Sequence, residues 1–169
     1  MFTLPSAVPS MGTRRVVFLP TVADILAIKK TEIDAGTSEN LSCYLTRGNG
    51  WQAGGDQAVV KDDRLCSVQD FEIPGAESRT LQLQYTTNLN EPDDDKARLA
   101  LERGTRGVLV HFMQIDQDED AFAVGDWYEA VPVEMGIQMI VPVEDNAVDR
   151  INQKAFIRGT WTPFRQLVA

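Results

Sequence analysis

A chain of 169 residues with 43% hydrophobic and 24% charged residues is long enough for one buried core and too apolar to be disordered throughout. No apolar run approaches the roughly 18 residues of a membrane-spanning helix. The formal charge of −9 speaks against a module that grips nucleic acid, because phosphate contacts need Lys and Arg to release counterions.

The acidic excess is uneven. Residues 1–60 hold five basic and five acidic residues, whereas residues 61–169 hold eleven and twenty. Between Arg106 and Arg150 there is no Lys or Arg at all. A polyanion passing such a surface is repelled and kept mobile, and the same carboxylates serve equally as a solvated, solubilising exterior.

Taken in chain order, residues 1–12 lack the basic start and continuous apolar centre of a secretory signal, and Pro5 and Pro9 disfavour a helix. They are expected to form an extended, uncleaved arm ahead of one domain over residues 13–169. Thr13–Leu19 reads as the first strand, Asp24–Lys30 as a short helical stretch, and Leu41–Thr46 as a second strand. Gly48, Gly50, Gly54 and Gly55 predict a long loop over residues 47–58. Arg64–Ile73 reads as a third strand closed by a Pro74-Gly75 turn.

Leu81, Leu83 and Tyr85 alternate with Gln82, Gln84 and Thr86, the pattern of a half-exposed antiparallel strand. Asn90, Pro92 and the carboxylates that follow predict a helix over about residues 91–103, with an apolar stripe at Ala97 and Leu101 and a stop at Gly104. Gly107–Ile115 is apolar on both faces, which predicts cover from the core on one side and from a helix or second subunit on the other. Gly125–Glu134, Met135–Val143, Val148–Arg158 and Trp161–Val168 complete the elements. Strands, one helix, then more strands without βαβ alternation predict a mainly β fold, an antiparallel β-sandwich or partly closed β-barrel with one flanking helix.

Chemistry is sparse. Gly48-Asn49-Gly50 has neither the third glycine nor the following helix of a dinucleotide loop. The turn Asp116-Gln117-Asp118-Glu119-Asp120 opens like a calcium loop, but Ala121 and Trp127 stand where glycine and a bidentate glutamate are needed. A single His111 excludes a histidine-pair zinc site, and within an apolar strand it reads as a packed or interface histidine rather than a general base. Cys43 and Cys66 fit neither a metal spacing nor a disulfide framework and are expected to be reduced core thiols. Trp51, Trp127 and Trp161 are compatible with a sugar platform and, more simply, with core and interface packing. No catalytic residues, cofactor or metal site are expected.

The second half nevertheless carries an ordered set of short motifs: Asn90-Glu91-Pro92-Asp93, then Glu102-Arg103-Gly104-Thr105-Arg106-Gly107-Val108, Val131-Pro132-Val133-Glu134, Gly136-Ile137-Gln138, Ile140-Val141-Pro142-Val143, and Arg150-Ile151-Asn152-Gln153-Lys154-Ala155-Phe156. In this order, over roughly residues 80–160, the chain resembles the tail tube family of long, non-contractile-tailed bacteriophages, most closely the version carried by phages of actinobacteria. The resemblance implies hexameric rings stacked into a tube within the virion tail, subunits assembled in the host cytoplasm, and viral DNA passing through without specific binding.

The partners it implies are further copies of the chain, a tape measure protein, and tail terminator and distal tail proteins, with no membrane. On that reading Arg47, Asn49, Trp51 and Asp56 are candidates for contacts between rings. Gln82, Gln84, Asp116, Asp118, Glu119 and Asp120 are candidates for the lumen or an acidic surface, and Leu109, His111 and Met113 for a subunit-interface strand. A tail terminator or head–tail joining ring protein, a non-viral β-sandwich module that binds carbohydrate, and a hydrolase built on His111 are the alternatives.

Overall fold

The computed structural model describes residues 2–119 and 121–169. Their elements run β1 (Arg15–Leu19), α1 (Lys30–Ile33), β2 (Glu39–Asn40), β3 (Trp51–Asp62), β4 (Phe71–Thr86), α2 (Lys96–Ala100), β5 (Arg106–Met113), β6 (Trp127–Ile140), β7 (Arg150–Ile157) and β8 (Arg165–Gln166). All strand pairings are antiparallel and form one sheet in the order β2-β1-β5-β6-β7-β4-β3, with β8 added to β6. The mainly β, antiparallel architecture is therefore present, as one curled sheet with two short helices instead of two separate sheets.

The ladder does not close, but the segment after β2 bonds both of its sides. Leu41 N donates to Val16 O (2.8 Å) on β1, while Leu45 bridges Tyr85 and Thr46 N donates to Gln84 O (3.0 Å) on β4. The residues expected as a second strand thus become a turn that ties the two sides together. Inside the curl lies the larger core, built from Val16, Phe18, Leu81, Leu83, Tyr85, Leu109, Val131, Val133, Ile151 and Ala155, with Ala97 and Leu101 of the α2 region among them. Alternation places Val17, Leu19, Val110, Phe112, Tyr128 and Ala130 on the opposite face, where Ile28, Ile33, Phe122 and Leu167 cover them. The doubly apolar β5 is accordingly covered on both faces by this chain's own segments.

Several boundaries differ from expectation for identifiable reasons. Residues 51–58 belong to β3, not to a loop, because the glycines serve cross-strand approach: a Cβ on Gly54 would meet Thr80 Oγ1 at 2.9 Å, and one on Gly75 would meet Ala58 O at 2.8 Å. Pro74-Gly75 lies within β4 beside a register shift at Gln57/Val59. Proline is tolerated there because β7 pairs only with residues 81–86 of β4. Residues 63–70 are the hairpin tip instead of part of a strand.

Helix α2 occupies only part of residues 91–103. Asp95 precedes it, and its Oδ2 accepts from Thr87 Oγ1 (2.6 Å) and Arg98 Nε (2.7 Å) without capping the helix. The two strands expected across 125–143 form one, β6, with a bulge at Met135/Gln138. Cys43 and Cys66 are exposed, not core, because they lie in the turn after β2 and in the hairpin tip.

Gly107 shows how tightly β5 is seated on β1. A Cβ there would lie 2.5 Å from Phe18 Cζ and 2.6 Å from Leu19 O. Gly107→Ala is expected to cost about 1–3 kcal/mol of unfolding free energy, as overpacking against backbone does; urea denaturation measures it.

Candidate subunit-contact surfaces

The β3–β4 hairpin leaves the core part-way along its length. On β4, Leu81, Leu83 and Tyr85 are buried, whereas residues 71–80 are almost all exposed, and nearly all of β3 is exposed with them. Register sets Val60 opposite Ile73 and Asp62 opposite Phe71. Directly paired residues share a face, so Val60, Ile73 and Phe71 form one apolar stripe. They remain 50%, 49% and 47% exposed. Leu65 and Val68 at the tip are fully exposed. Such a patch on a projecting element is the signature of a contact surface.

Three of the expected inter-ring residues sit at the hairpin's root and the fourth, Asp56, part-way along its projecting stretch. Arg47 and Asn49 are exposed in the turn before β3, Trp51 opens β3, and Asp56 is exposed opposite Ser78. Trp51 stacks on His111 with ring centroids 4.6 Å apart and meets Trp161 edge-on at 6.1 Å. Trp127 stands apart and is exposed, so the three tryptophans form no common platform.

His111 is buried, and its Nδ1 lies 2.9 Å from Glu129 Oε1; a carboxylate can only accept, so Nδ1 carries the proton. Trp161 Nε1 donates to Glu129 Oε2 at 3.0 Å. Burial pushes the Glu129 carboxyl upward, yet these two hydrogen bonds and the nearby positive charge together hold it below the usual carboxylate range. A depressed native pKa stabilises the fold above the unfolded-state pKa, and the contribution is lost as pH falls through the native value. Stability is expected to decline below about pH 4.3, and Glu129→Gln should flatten that part of a pH-dependent melting series.

Leu109 lies in the larger core and Met113 is half-buried at the end of β5, so most of this strand is covered by the chain itself. Gln82 is half-exposed on the side of β4 away from Leu81 and Leu83. Gln84 is buried, donates to Asn152 Oδ1 (2.9 Å) and accepts from Thr46 Oγ1 (2.9 Å). It belongs to an amide ladder across β4 and β7. Asp116, Asp118 and Glu119 are exposed in the turn after β5 and form no ion pair among the described residues. Asp120 lies outside the described residues.

Sequence reading missed the stripe Val60, Phe71 and Ile73, although Ala58-Val59-Val60-Lys61 and Phe71-Glu72-Ile73 carry β-branched and aromatic signals. The neighbouring glycines and Pro74 masked them. Among the described residues no group of three His, Cys, Asp or Glu is placed to hold a metal, and no helix is long and apolar enough to cross a membrane.

Comparison with known proteins agrees with this geometry. A chain of the anti-feeding prophage (AFP) baseplate, a six-fold symmetrised cryo-EM structure, superposes with a TM-score of 0.52 at 12% identity, covering 98% of each chain. The likeness is one of fold. No curated protein sequence matches. The model of the family described as "Phage tail tube protein" matches residues 1–169, and with a match over its whole length the chain belongs to the phage tail tube protein family.

Proposed function

We propose that this chain is the repeating subunit of a phage tail tube, that it forms hexameric rings, and that the stacked rings make the conduit through which viral DNA leaves the particle. The observation that carries this reading is the β3–β4 hairpin. A family of tube proteins supplies the context, and a projecting hairpin with an unburied apolar stripe supplies the means of joining one copy to the next. A lone monomer gains nothing from exposing Val60, Phe71 and Ile73, whereas a second copy seated on them buries their surface. On this reading the stripe meets a different surface of the next copy, a heterologous contact of the kind that propagates into rings or stacks.

On this reading the bore is lined by the face of β4 and β7 away from the larger core, which carries Gln82 and Asn152 with Arg150 and Lys154 beside them. The amides offer phosphate no ion pair, Arg150 is taken up by Glu144, and the exposed Lys154 stands against a net charge of −9, a background that repels DNA instead of retaining it. The protein's role is structural rather than catalytic, its place is the virion tail after assembly in the host cytoplasm, and its other contacts are with the tape measure, terminator and distal tail proteins. Negative-stain microscopy of the purified chain at high concentration tests the proposal. Hollow tubes of six-fold rings are expected; isolated rings that never stack would favour a terminator or joining protein, and a strict monomer would refute assembly.

A further inference from the structure

A groove of about 860 Å³ opens beside the hairpin's root, with Trp51, His111 and Glu129 among its walls and Arg14, Arg15 and Arg47 around them. Three guanidinium groups against one carboxylate make this a positive site on a chain of charge −9. Arg14 and Arg47 are exposed, and none of the three arginines forms an ion pair among the described residues. Arg15 instead donates to the carbonyls of Gly12 (2.7 Å) and Arg14 (3.0 Å). Trp51 Nε1 is buried and has no hydrogen-bond partner. A buried indole N–H without an acceptor is unfavourable, and here it accompanies unpaired positive charge. The groove therefore suits an anionic, hydrogen-bond-accepting group with some apolar surface.

The loop between β4 and α2 has that chemistry. Glu91, Asp93 and Asp94 are exposed and form no ion pair among the described residues, and Leu89 beside them is 63% exposed. The loop is held at both ends, by Thr87 N donating to Asp149 O (3.1 Å) and by Tyr44 Oη donating to Asp94 O (2.9 Å). It is thus ordered before any contact, which lowers the entropy lost on docking. We infer that the groove receives residues 89–94 of a second copy, the carboxylates pairing with Arg14, Arg15 and Arg47 and Leu89 lying against the apolar part of the wall. Because Trp51 opens β3, this docking fastens the hairpin's root while its distal stripe meets another surface.

The inference rests on the tube reading and is separable from it. Three variants are compared with the wild type by sedimentation and negative stain at low salt: Arg14→Glu with Arg47→Glu, then Glu91→Arg with Asp93→Arg and Asp94→Arg, and a chain carrying all five changes. All positions are exposed, and circular dichroism melting confirms that each variant folds. Reversing either side is expected to raise the assembly concentration by about a hundredfold, and the five-fold variant to return most of that loss, since complementary charge is restored. Raising the salt concentration should weaken wild-type assembly and the restored pair alike. Groove-reversed chains that form tubes as the wild type does would overturn the inference and leave the tube reading intact. Loss on either side without restoration in the five-fold variant would overturn loop 89–94 as the occupant. A wild-type chain that never associates would overturn both.

Discussion

Replacing Val60 by Lys and Ile73 by Glu is expected to abolish tube formation while leaving the monomer as stable as before. The two positions face each other across the hairpin, next to the natural Lys61↔Glu72 pair, so the new charges are complementary and keep the strands paired. Both side chains are about half exposed, and surface substitutions of this kind change stability by roughly 0.5 kcal/mol or less. Burying the two apolar side chains against another copy is worth on the order of 3 kcal/mol, equivalent to about a hundredfold in association constant. Thermal melting should therefore coincide with wild type while the concentration needed for tubes rises beyond reach. Tubes at the wild-type concentration would mean that this stripe is not buried between copies.

The hairpin also marks where sequence reading fell short. Four glycines within residues 48–55 count individually as strand breakers, yet Gly54 and Gly55 lie within β3, where the partner strand crowds them through Thr80 and Ser78. That crowding follows from register, a property of two segments that neither segment encodes alone. Where patterning is strong the reading held: Leu81, Leu83 and Tyr85 face the core, and β5 has both faces covered. The cover over β5 comes from Ile28, Ile33, Phe122 and Leu167 of the same chain, and periodicity cannot tell such a cover from a second subunit. The helix was legible in place but not in length, because the Thr87 and Arg98 contacts of Asp95 fix its first turn.

The candidate surfaces were legible as residue types and not as neighbours. Trp51, His111 and Trp161 each stood out in the sequence, yet their stacking around Glu129 depends on the curl that brings β3 against β5 and β6. The acidic stretch between Arg106 and Arg150 divides in the fold. Glu129 and Glu134 are consumed internally, the first by His111 and Trp161, the second by Arg106 (2.9 Å) and Arg158 (2.6 Å). The turn at 116–119 remains outward. Net charge over a segment thus overstates what a passing polyanion meets, and the polar faces of β4 and β7 matter more to the proposed bore than the carboxylate count suggests.

The largest loss of stability is expected at Gln153, which is fully buried at the centre of β7. Its Nε2 donates to Leu101 O (2.6 Å) and Gly136 O (2.9 Å), and its Oε1 accepts from Tyr85 Oη (2.8 Å). Gln138 Nε2 completes the network by donating to Tyr85 Oη (3.0 Å) and Arg98 O (2.9 Å). Together the two glutamines satisfy the carbonyls at the end of α2 and the bulge of β6, so they pin the helix to the sheet where the β6 register shifts. Burial pushes the Tyr85 phenol well above its usual range, which keeps its hydroxyl a donor at every physiological pH.

Gln153→Leu leaves the phenol donor and the Gly136 carbonyl without their Gln153 partner, at about 1–3 kcal/mol each, so a loss of roughly 2–5 kcal/mol is expected in urea denaturation. Adding Tyr85→Phe should cost less than the sum of the separate changes, because the stranded donor is then gone. Gln153→Glu separates hydrogen bonding from packing. Its carboxyl must be protonated to donate to either carbonyl, and then to one only, so its native pKa is raised and its stability should fall as pH rises from about 4.3. A Gln153→Glu protein equally stable at pH 4 and pH 7, measured against wild type, would show that packing alone holds this position.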